Sequence, residues 1–344
     1  MDANELTPQP PPNPFESTQV TLIDVIPEFA IDYPPPPPRP RRIWRPVLLF
    51  VITCVSTLVA GVVYSDHFPD GPWWTVLQRL GMVLYQLQWP AINDGLMYSG
   101  AVMTILLCHE MGHFVQAWRH GVSASLPYFI PMPLNLIGTF GAVIFMEPRQ
   151  GNRKSVFDIG ISGPLAGLVP TFIFLLLGLY WSQPARVSAS PGDQLVLGEP
   201  LLMQYLSDWL KGPLPEGYNL ILHPVAFAGW VGLLITSINL IPIGQLDGGH
   251  ILYGMFRRKA HTASMVVLVL AIAASIHFNL ICWWLMLGLI AFMGTRHPPT
   301  ADDSVPLGAA RYVLGILTLA FLFFGFTPEP MSVRHSEAVI SERP

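Results

Sequence analysis

Apolar residues in this chain gather into runs too long and too continuous for the amphipathic elements of a water-soluble fold. Seven runs occupy 46–64, 96–118, 156–181, 224–243, 262–277, 280–294 and 309–326. At 1.5 Å of rise per helical residue, most of them match the ~30 Å hydrocarbon core of a bilayer. The fifth and sixth are short and meet at Phe278 and Asn279, as a tight helical pair would. One further apolar stretch breaks the pattern. Residues 125–147 read SLPYFIPMPLNLIGTFGAVIFME, and the three prolines and two glycines exclude a straight spanning helix. Thr139, Gly141, Val143 and Phe145 alternate with bulkier neighbours at the period of a strand, which predicts a re-entrant strand or hairpin. Such backbone persists at membrane depth only where protein buries it or a wet cavity faces it. The expected fold class is an all-α polytopic membrane protein of about seven transmembrane helices, with a small membrane-embedded β-strand or hairpin. The aromatic-rich residues 72–90 are expected along the outer interface.

Composition agrees. Of 344 residues, 51% are apolar and 12% charged, against about 25% charged in soluble proteins, so a soluble enzyme is excluded. The net charge of -4 and the lack of a basic patch give no footing for nucleic acid. Cys54, Cys108 and Cys282 lie in separate apolar runs, so neither a disulfide framework nor a cysteine metal site is expected. Twelve prolines in the first forty positions predict a disordered, partly polyproline-II tail over 1–45. No Lys or Arg precedes Arg39, which argues against a signal or transit peptide.

Thirteen of the eighteen basic residues fall on the side of the membrane that holds the tail. Because short cytoplasmic loops carry the excess of Lys and Arg, the N-terminus is expected to be cytoplasmic, in a bacterial cytoplasmic membrane. The outer segment 182–222 is too short for an accessory domain of typical size. The expected division is a tail over 1–45, a membrane domain over 46–326 with a core at about 96–256, and a short C-terminal tail over 327–344.

The chemistry-bearing residues lie inside this apolar frame. The second run contains Cys108, His109, Glu110, Met111, Gly112 and His113, an H-E-x-x-H motif. Histidines four apart share one helical face, close enough to hold one metal ion, while the Glu beside them can reach a metal-bound water. Ionisable groups within a span are costly and mark function by default. His113 falls about 8 Å from the cytoplasmic end of its run, within reach of water. A polar cluster that only ties helices together is the bland alternative.

A catalytic zinc takes three protein ligands and leaves a fourth position open. The fourth run ends in Asn239, Leu240, Ile241, Pro242, Ile243, Gly244, Gln245, Leu246, Asp247, Gly248, Gly249 and His250. Asp247 falls at the depth of the two histidines. Pro242 is expected to end or kink the helix and to free the Ile238 carbonyl, and Gly248 with Gly249 to let the backbone turn around the carboxylate. Asp247 is the candidate third ligand, with capping of a following helix as the alternative.

H-E-x-x-H in one span, followed more than a hundred residues later by N-x-x-P-x-x-x-L-D-G in another, resembles the site-2 protease family of intramembrane zinc metalloproteases. The resemblance covers about residues 96–256. It implies one Zn2+ per chain held by His109, His113 and Asp247, with Glu110 as the catalytic acid/base. It also implies that Asn239 helps hold the substrate or the developing oxyanion, and that the segment after H-E-x-x-H is a membrane-embedded strand or hairpin. Gly138, Thr139 and Gly141 are accordingly the candidate substrate-binding residues on that strand, whose edge would take an unwound substrate by β-augmentation. The implied activity is hydrolysis of peptide bonds within or near transmembrane segments of other membrane proteins. Neither a PDZ domain between the motifs nor a C-terminal CBS domain fits in this chain, which resembles the compact branch without them.

Two rivals share part of the pattern. A CAAX-type membrane zincin also uses H-E-x-x-H but takes a later glutamate as third ligand. A metal transporter or a non-catalytic metal-binding scaffold would need no Glu110. Elsewhere, His250 is expected beside the site or at the surface, and His120 and Glu147 in solvent. Asp158 is expected to cap a helix or pair with Arg153 or Lys154. His223 and His277 are expected at the outer interface, and Cys108 in ordinary packing. Gly163 and Gly167 predict a close helix contact.

Overall fold

The computed structural model describes residues 43–335 apart from 66, 70–74, 134, 147–150, 187–192 and 216. The proline-rich tail up to residue 42, and Glu147, lie outside the described residues. Helices α1 (Trp44–Val63) and α2 (Val76–Tyr85) lead into the long α3 (Trp89–Arg119). A hairpin of β1 (Tyr128–Pro131) and β2 (Thr139–Val143) precedes α4 (Arg153–Trp181). Then come β3 (Gln183–Arg186), β4 (Asp193–Leu197), α5 (Leu201–Lys211), β5 (Tyr218–Ile221) and α6 (Pro224–Asn239). The chain continues through α7 (Asp247–Phe256), α8 (Lys259–His277), α9 (Trp284–Met293), α10 (Ala309–Gly325) and β6 (Met331–His335).

All seven expected runs are helical, but among the described residues only α1, α3, α4 and α8 are long and apolar enough to cross a membrane. The expected count of seven is therefore not met by length. The causes are local. Helix α6 stops at Asn239, ahead of Pro242, which has no N–H to continue the ladder. Helix α9 spends its first turn, Ile281–Trp283, as a 3-10 helix. Helix α10 starts at Ala309, after Gly308 at φ +84°, and stops at Gly325 after 17 residues.

The centre of the bundle is α3, α4 and α6. Lipid offers apolar side chains no reason to prefer one another, so such helices associate by close packing and internal hydrogen bonds. Tyr98, Phe157, Leu175, Leu179, Trp230 and Leu233 are fully buried there. Thr57 Oγ1 on α1 meets Ser99 Oγ on α3 at 2.8 Å. The α4 N-terminus is capped by Asn152, whose Oδ1 accepts from the Ser155 N–H at 2.9 Å. Arg153, counted among the basic residues of the cytoplasmic side, is buried. Its guanidinium donates to the Gly254 and Met255 carbonyls at 2.6 and 2.7 Å, satisfying the orphan acceptors at the end of α7.

The hairpin predicted over 125–147 is present. Strands β1 and β2 pair antiparallel, Tyr128 opposite Val143 and Pro131 opposite Thr139. Asn135 closes its turn, accepting from the Gly138 N–H at 2.6 Å and donating to the Thr139 carbonyl at 3.2 Å. The turn rests on α1, where Ser56 Oγ donates to the Gly138 carbonyl at 2.7 Å. The segment 182–222 is structured too: β3 pairs with β5, and β4 pairs with β6 from beyond the last helix. Part of the expected C-terminal tail is thus a strand.

Candidate metal centre

Three residues of α3, His109, Glu110 and His113, are buried, at 3, 5 and 6% exposure. Room for two imidazoles between packed helices comes from the small residues of the antiparallel α4. A side-chain carbon at Gly163 would overlap the His113 ring, and one at Gly167 would lie 3.0 Å from the His109 Cβ. Gly112 of α3 returns the relation, lying against the Ser162 backbone. The close helix contact expected of Gly163 and Gly167 is therefore the wall of the histidine site.

The third side chain arrives from the corner between α6 and α7. The Asp247 carboxylate lies between the two rings, its Oδ2 3.1 Å from His109 Nε2 and its Oδ1 3.3 Å from His113 Nε2. The two Nε2 atoms are 3.2 Å apart. Ligand atoms around a tetrahedral zinc with ~2.05 Å bonds are separated by about 3.3 Å; the two nitrogens meet that spacing, and each lies near it from a different oxygen of the carboxylate. Among the described residues this is the one group of three His, Cys, Asp or Glu ligand atoms so gathered. The His113 Nδ1 lies 2.8 Å from the Ile159 carbonyl. A carbonyl accepts only, so Nδ1 carries the proton and Nε2 presents its lone pair to the centre.

The local causes differ in part from those read in the sequence. Asp247 opens α7 but is not its cap; Leu246 holds that position. Gly248 and Gly249 do not make the turn. They are helical, pressed on the Leu240 and Gly244 carbonyls, and Gly244, at φ +56°, turns the chain. The Ile238 carbonyl is not free either, since it accepts from the Ile241 N–H at 3.1 Å.

Asn239 joins the site, its Nδ2 3.3 Å from His109 Nε2. The candidates on the hairpin spend their groups locally. Gly138 takes φ +82° against the α1 backbone. Thr139, 2% exposed, donates to the Ile130 carbonyl at 2.9 Å and accepts from the Gly141 N–H at 3.0 Å. Phe140 and Val143 are the exposed side chains of β2.

His250 is outside the ligand group. Its Nδ1 lies 2.7 Å from Nε2 of His297, a residue the sequence did not single out. His297 stacks on Tyr253 at 4.3 Å and donates from Nδ1 to the Pro298 carbonyl at 2.6 Å. Burial, with His250 adjacent, pushes its imidazole down to about 3. Asp158 pairs with neither Arg153 nor Lys154. It takes a two-pronged bond from Arg311 of α10, at 2.6 and 2.9 Å, and lies 3.1 Å from Nε2 of His120, which is therefore not simply solvated. Arg311 is 153 residues away in the chain, and no local pattern announces it. His223 caps α6, His277 ends α8 in the open, and Cys108 is half-buried.

The family model Peptidase family M50 matches residues 97–280. The chain is 34% identical over 233 residues to "Probable zinc metalloprotease EGY1, chloroplastic" of Oryza sativa subsp. japonica, covering 65% of this chain and 40% of that protein. It is 32% identical over 254 residues to "Probable zinc metalloprotease EGY2, chloroplastic" of Arabidopsis thaliana, covering 72% and 44%. It is also 31% identical over 248 residues to "Probable zinc metallopeptidase EGY3, chloroplastic" of Arabidopsis thaliana, covering 67% and 42%. The chain spans less than half the length of these curated relatives. No solved structure matches it.

Proposed function

The chain belongs to peptidase family M50, and on that premise we propose that it is a zinc endopeptidase of the membrane, hydrolysing peptide bonds within or near the transmembrane segments of other proteins. The observation that carries this reading is the convergence of His109, His113 and Asp247, with one ligand atom from each within 4.8 Å of the others, beside the buried Glu110. The third position is filled by this aspartate, which favours neither a CAAX-type zincin nor a transporter or scaffold.

In this reading His109, His113 and Asp247 hold one Zn2+. When bound, the ion supplies a Lewis acid that polarises the scissile carbonyl and lowers the pKa of water. Glu110, next to His109 on the same helix, takes the proton of the attacking water and returns it to the leaving amine. Ile159 holds the His113 ring through its carbonyl, and the Asn239 amide donates to the oxygen on which negative charge develops. A substrate helix must unwind to expose its peptide bond, and strand β2, with Phe140 and Val143 exposed, receives it along its edge. The membrane domain runs over 46–326, with the shorter α6, α9 and α10 also embedded. The basic end, with Arg119, Arg153, Arg257, Arg258 and Arg311, and the N-terminal tail are assigned to the cytoplasmic side of a bacterial membrane.

The test is cleavage of a panel of single-span membrane substrates by the intact chain and by Glu110→Gln, at equal zinc content. A loss of about 10²–10⁴-fold with zinc retained is expected for a missing acid/base. Equal cleavage by both overturns the reading.

A further inference from the structure

At the other end of α3 and α6 the protein forms a partly open cavity of about 550 Å³. Asp94 lies 15 residues before His109 on α3, so about 22 Å of helix separates this cavity from the metal centre. Its walls include Tyr64, Tyr98, Trp181, Phe227 and Trp230. Tyr64 and Trp181 present the open aromatic surface, at 46 and 45% exposure, and the other three rings are buried behind them. Tyr98 stacks on Phe227 at 5.1 Å, and Phe227 on Trp230 at 5.7 Å. The polar ends of two of these rings are already used: Tyr98 donates to the Ile137 carbonyl at 2.8 Å, and the Trp230 N–H to the Gly198 carbonyl at 2.7 Å.

The polar part of the wall is acidic. Asp94 Oδ2 accepts from Ser65 Oγ at 2.5 Å and lies 2.9 Å from His67 Nδ1, so both contacts fall on one oxygen and Oδ1 takes neither. Glu199 supplies a second carboxylate, and no Lys or Arg is among the described lining residues. Burial holds the His223 imidazole below its ordinary range, and His67, largely exposed, lies on the same Asp94 oxygen that Ser65 uses. An anion would meet two carboxylates here. A neutral apolar guest would strip water from Asp94 with no compensation.

We propose that this cavity binds an organic cation, an alkylammonium or guanidinium group, seated against the Tyr64 and Trp181 rings and paired with Asp94. The source is either a free amine or a basic side chain on the flank of a bound polypeptide. The second source rests on the peptidase reading, and it sets the basic residue about 15 helical positions from the scissile bond.

The experiment measures dissociation constants by ligand-observed NMR for the full chain in detergent. The probes are tetramethylammonium and n-butylammonium, with tert-butanol as a neutral probe of similar shape. Saturable binding of both cations, at least tenfold tighter than tert-butanol, is expected. Asp94→Asn should weaken it about tenfold and Tyr64→Leu several-fold, with metal content and unfolding temperature unchanged. Absence of saturable binding, or equal binding of cation and alcohol, overturns the proposal. So does binding unchanged in Asp94→Asn or, should that variant not fold, in Tyr64→Leu. A single-span peptide carrying Lys at the stated position, compared with its Gln counterpart, then assigns the source: displacement by the Lys peptide alone identifies the polypeptide, and no displacement identifies a free amine. Because these probes need no cleavage, failure here is distinct from failure of the peptidase reading.

Discussion

Helices α4 and α8 are both long enough and apolar enough to span a bilayer, yet 56% of the spanning window of α4 is buried inside the protein against 22% of that of α8. Hydropathy does not separate them; side-chain size does. Helix α4 places Gly160, Gly163, Gly167 and Gly178 against His250, His113, His109 and Ala226, and it tolerates Pro164 and Pro170 in its interior. Helix α8 has no glycine and exposes Met265, Val266, Val269, Leu270 and Ile276. In a medium as apolar as the side chains themselves, an interior helix is made by what it lacks, because small residues let neighbours approach. The site chemistry follows from that, since two imidazoles and a carboxylate fit only where α4 gives up volume.

This contrast can be attacked directly. Gly163→Leu forces a side chain into the His113 ring, so the metal site should be lost altogether and stability reduced by about 3 kcal/mol or more. Metal analysis of the purified variant checks it; full metal content would end the claim that α4 shapes the site. Asp158→Asn leaves Arg311 without its carboxylate partner at the same helix, with an expected loss of about 2 kcal/mol in denaturant unfolding. An unchanged midpoint would show that α10 is held by packing alone.

A smaller effect, over the first pH unit below 6.5, comes from His297, which lines a small cavity with Gly160 of α4 and is buried in its neutral form. Its folded value of about 3 lies below the unfolded value near 6.5, so the unfolded chain binds the proton first. The contribution is complete above pH 6.5 and falls by about 1 kcal/mol per unit as the pH drops towards 3. His297→Gln should remove that slope from thermal unfolding curves; an identical slope would assign it to other groups. Least of all, Ala273→Leu on the exposed face of α8 should shift stability by less than about 0.5 kcal/mol. A large loss there would erase the distinction between the two helices.

Much of this was legible in the chain itself. Uninterrupted apolar runs locate the helices, because their length is set by the solvent. The prolines and glycines of 125–147 mark the hairpin, since they remove donors and permit the positive φ of Gly138 and Gly141. His109, Glu110 and His113 declare themselves by spacing, and Asp247 by its depth. The pairing of Gly163 and Gly167 with His113 and His109, four apart in both helices and running in opposite directions, was present as a pattern but gave only a contact, not its occupant. What stayed hidden depends on long-range approach: Arg311 reaching Asp158, His297 folding back on His250, β6 returning to β4. The spanning length of the shorter helices was hidden too, because a composition window does not register the turn made at Gly244 or the 3-10 start of α9.

The separation of 138 residues between His109 and Asp247 has a consequence in time. At about 5–20 residues per second, a ribosome needs roughly 7–28 s to move from one to the other. For nearly all of that interval the growing chain holds both histidines and the glutamate. The carboxylate that completes the triad has not yet been made. Only once residue 247 has joined the chain can the three side chains meet, so the order of synthesis as well as the fold sets when the site can assemble.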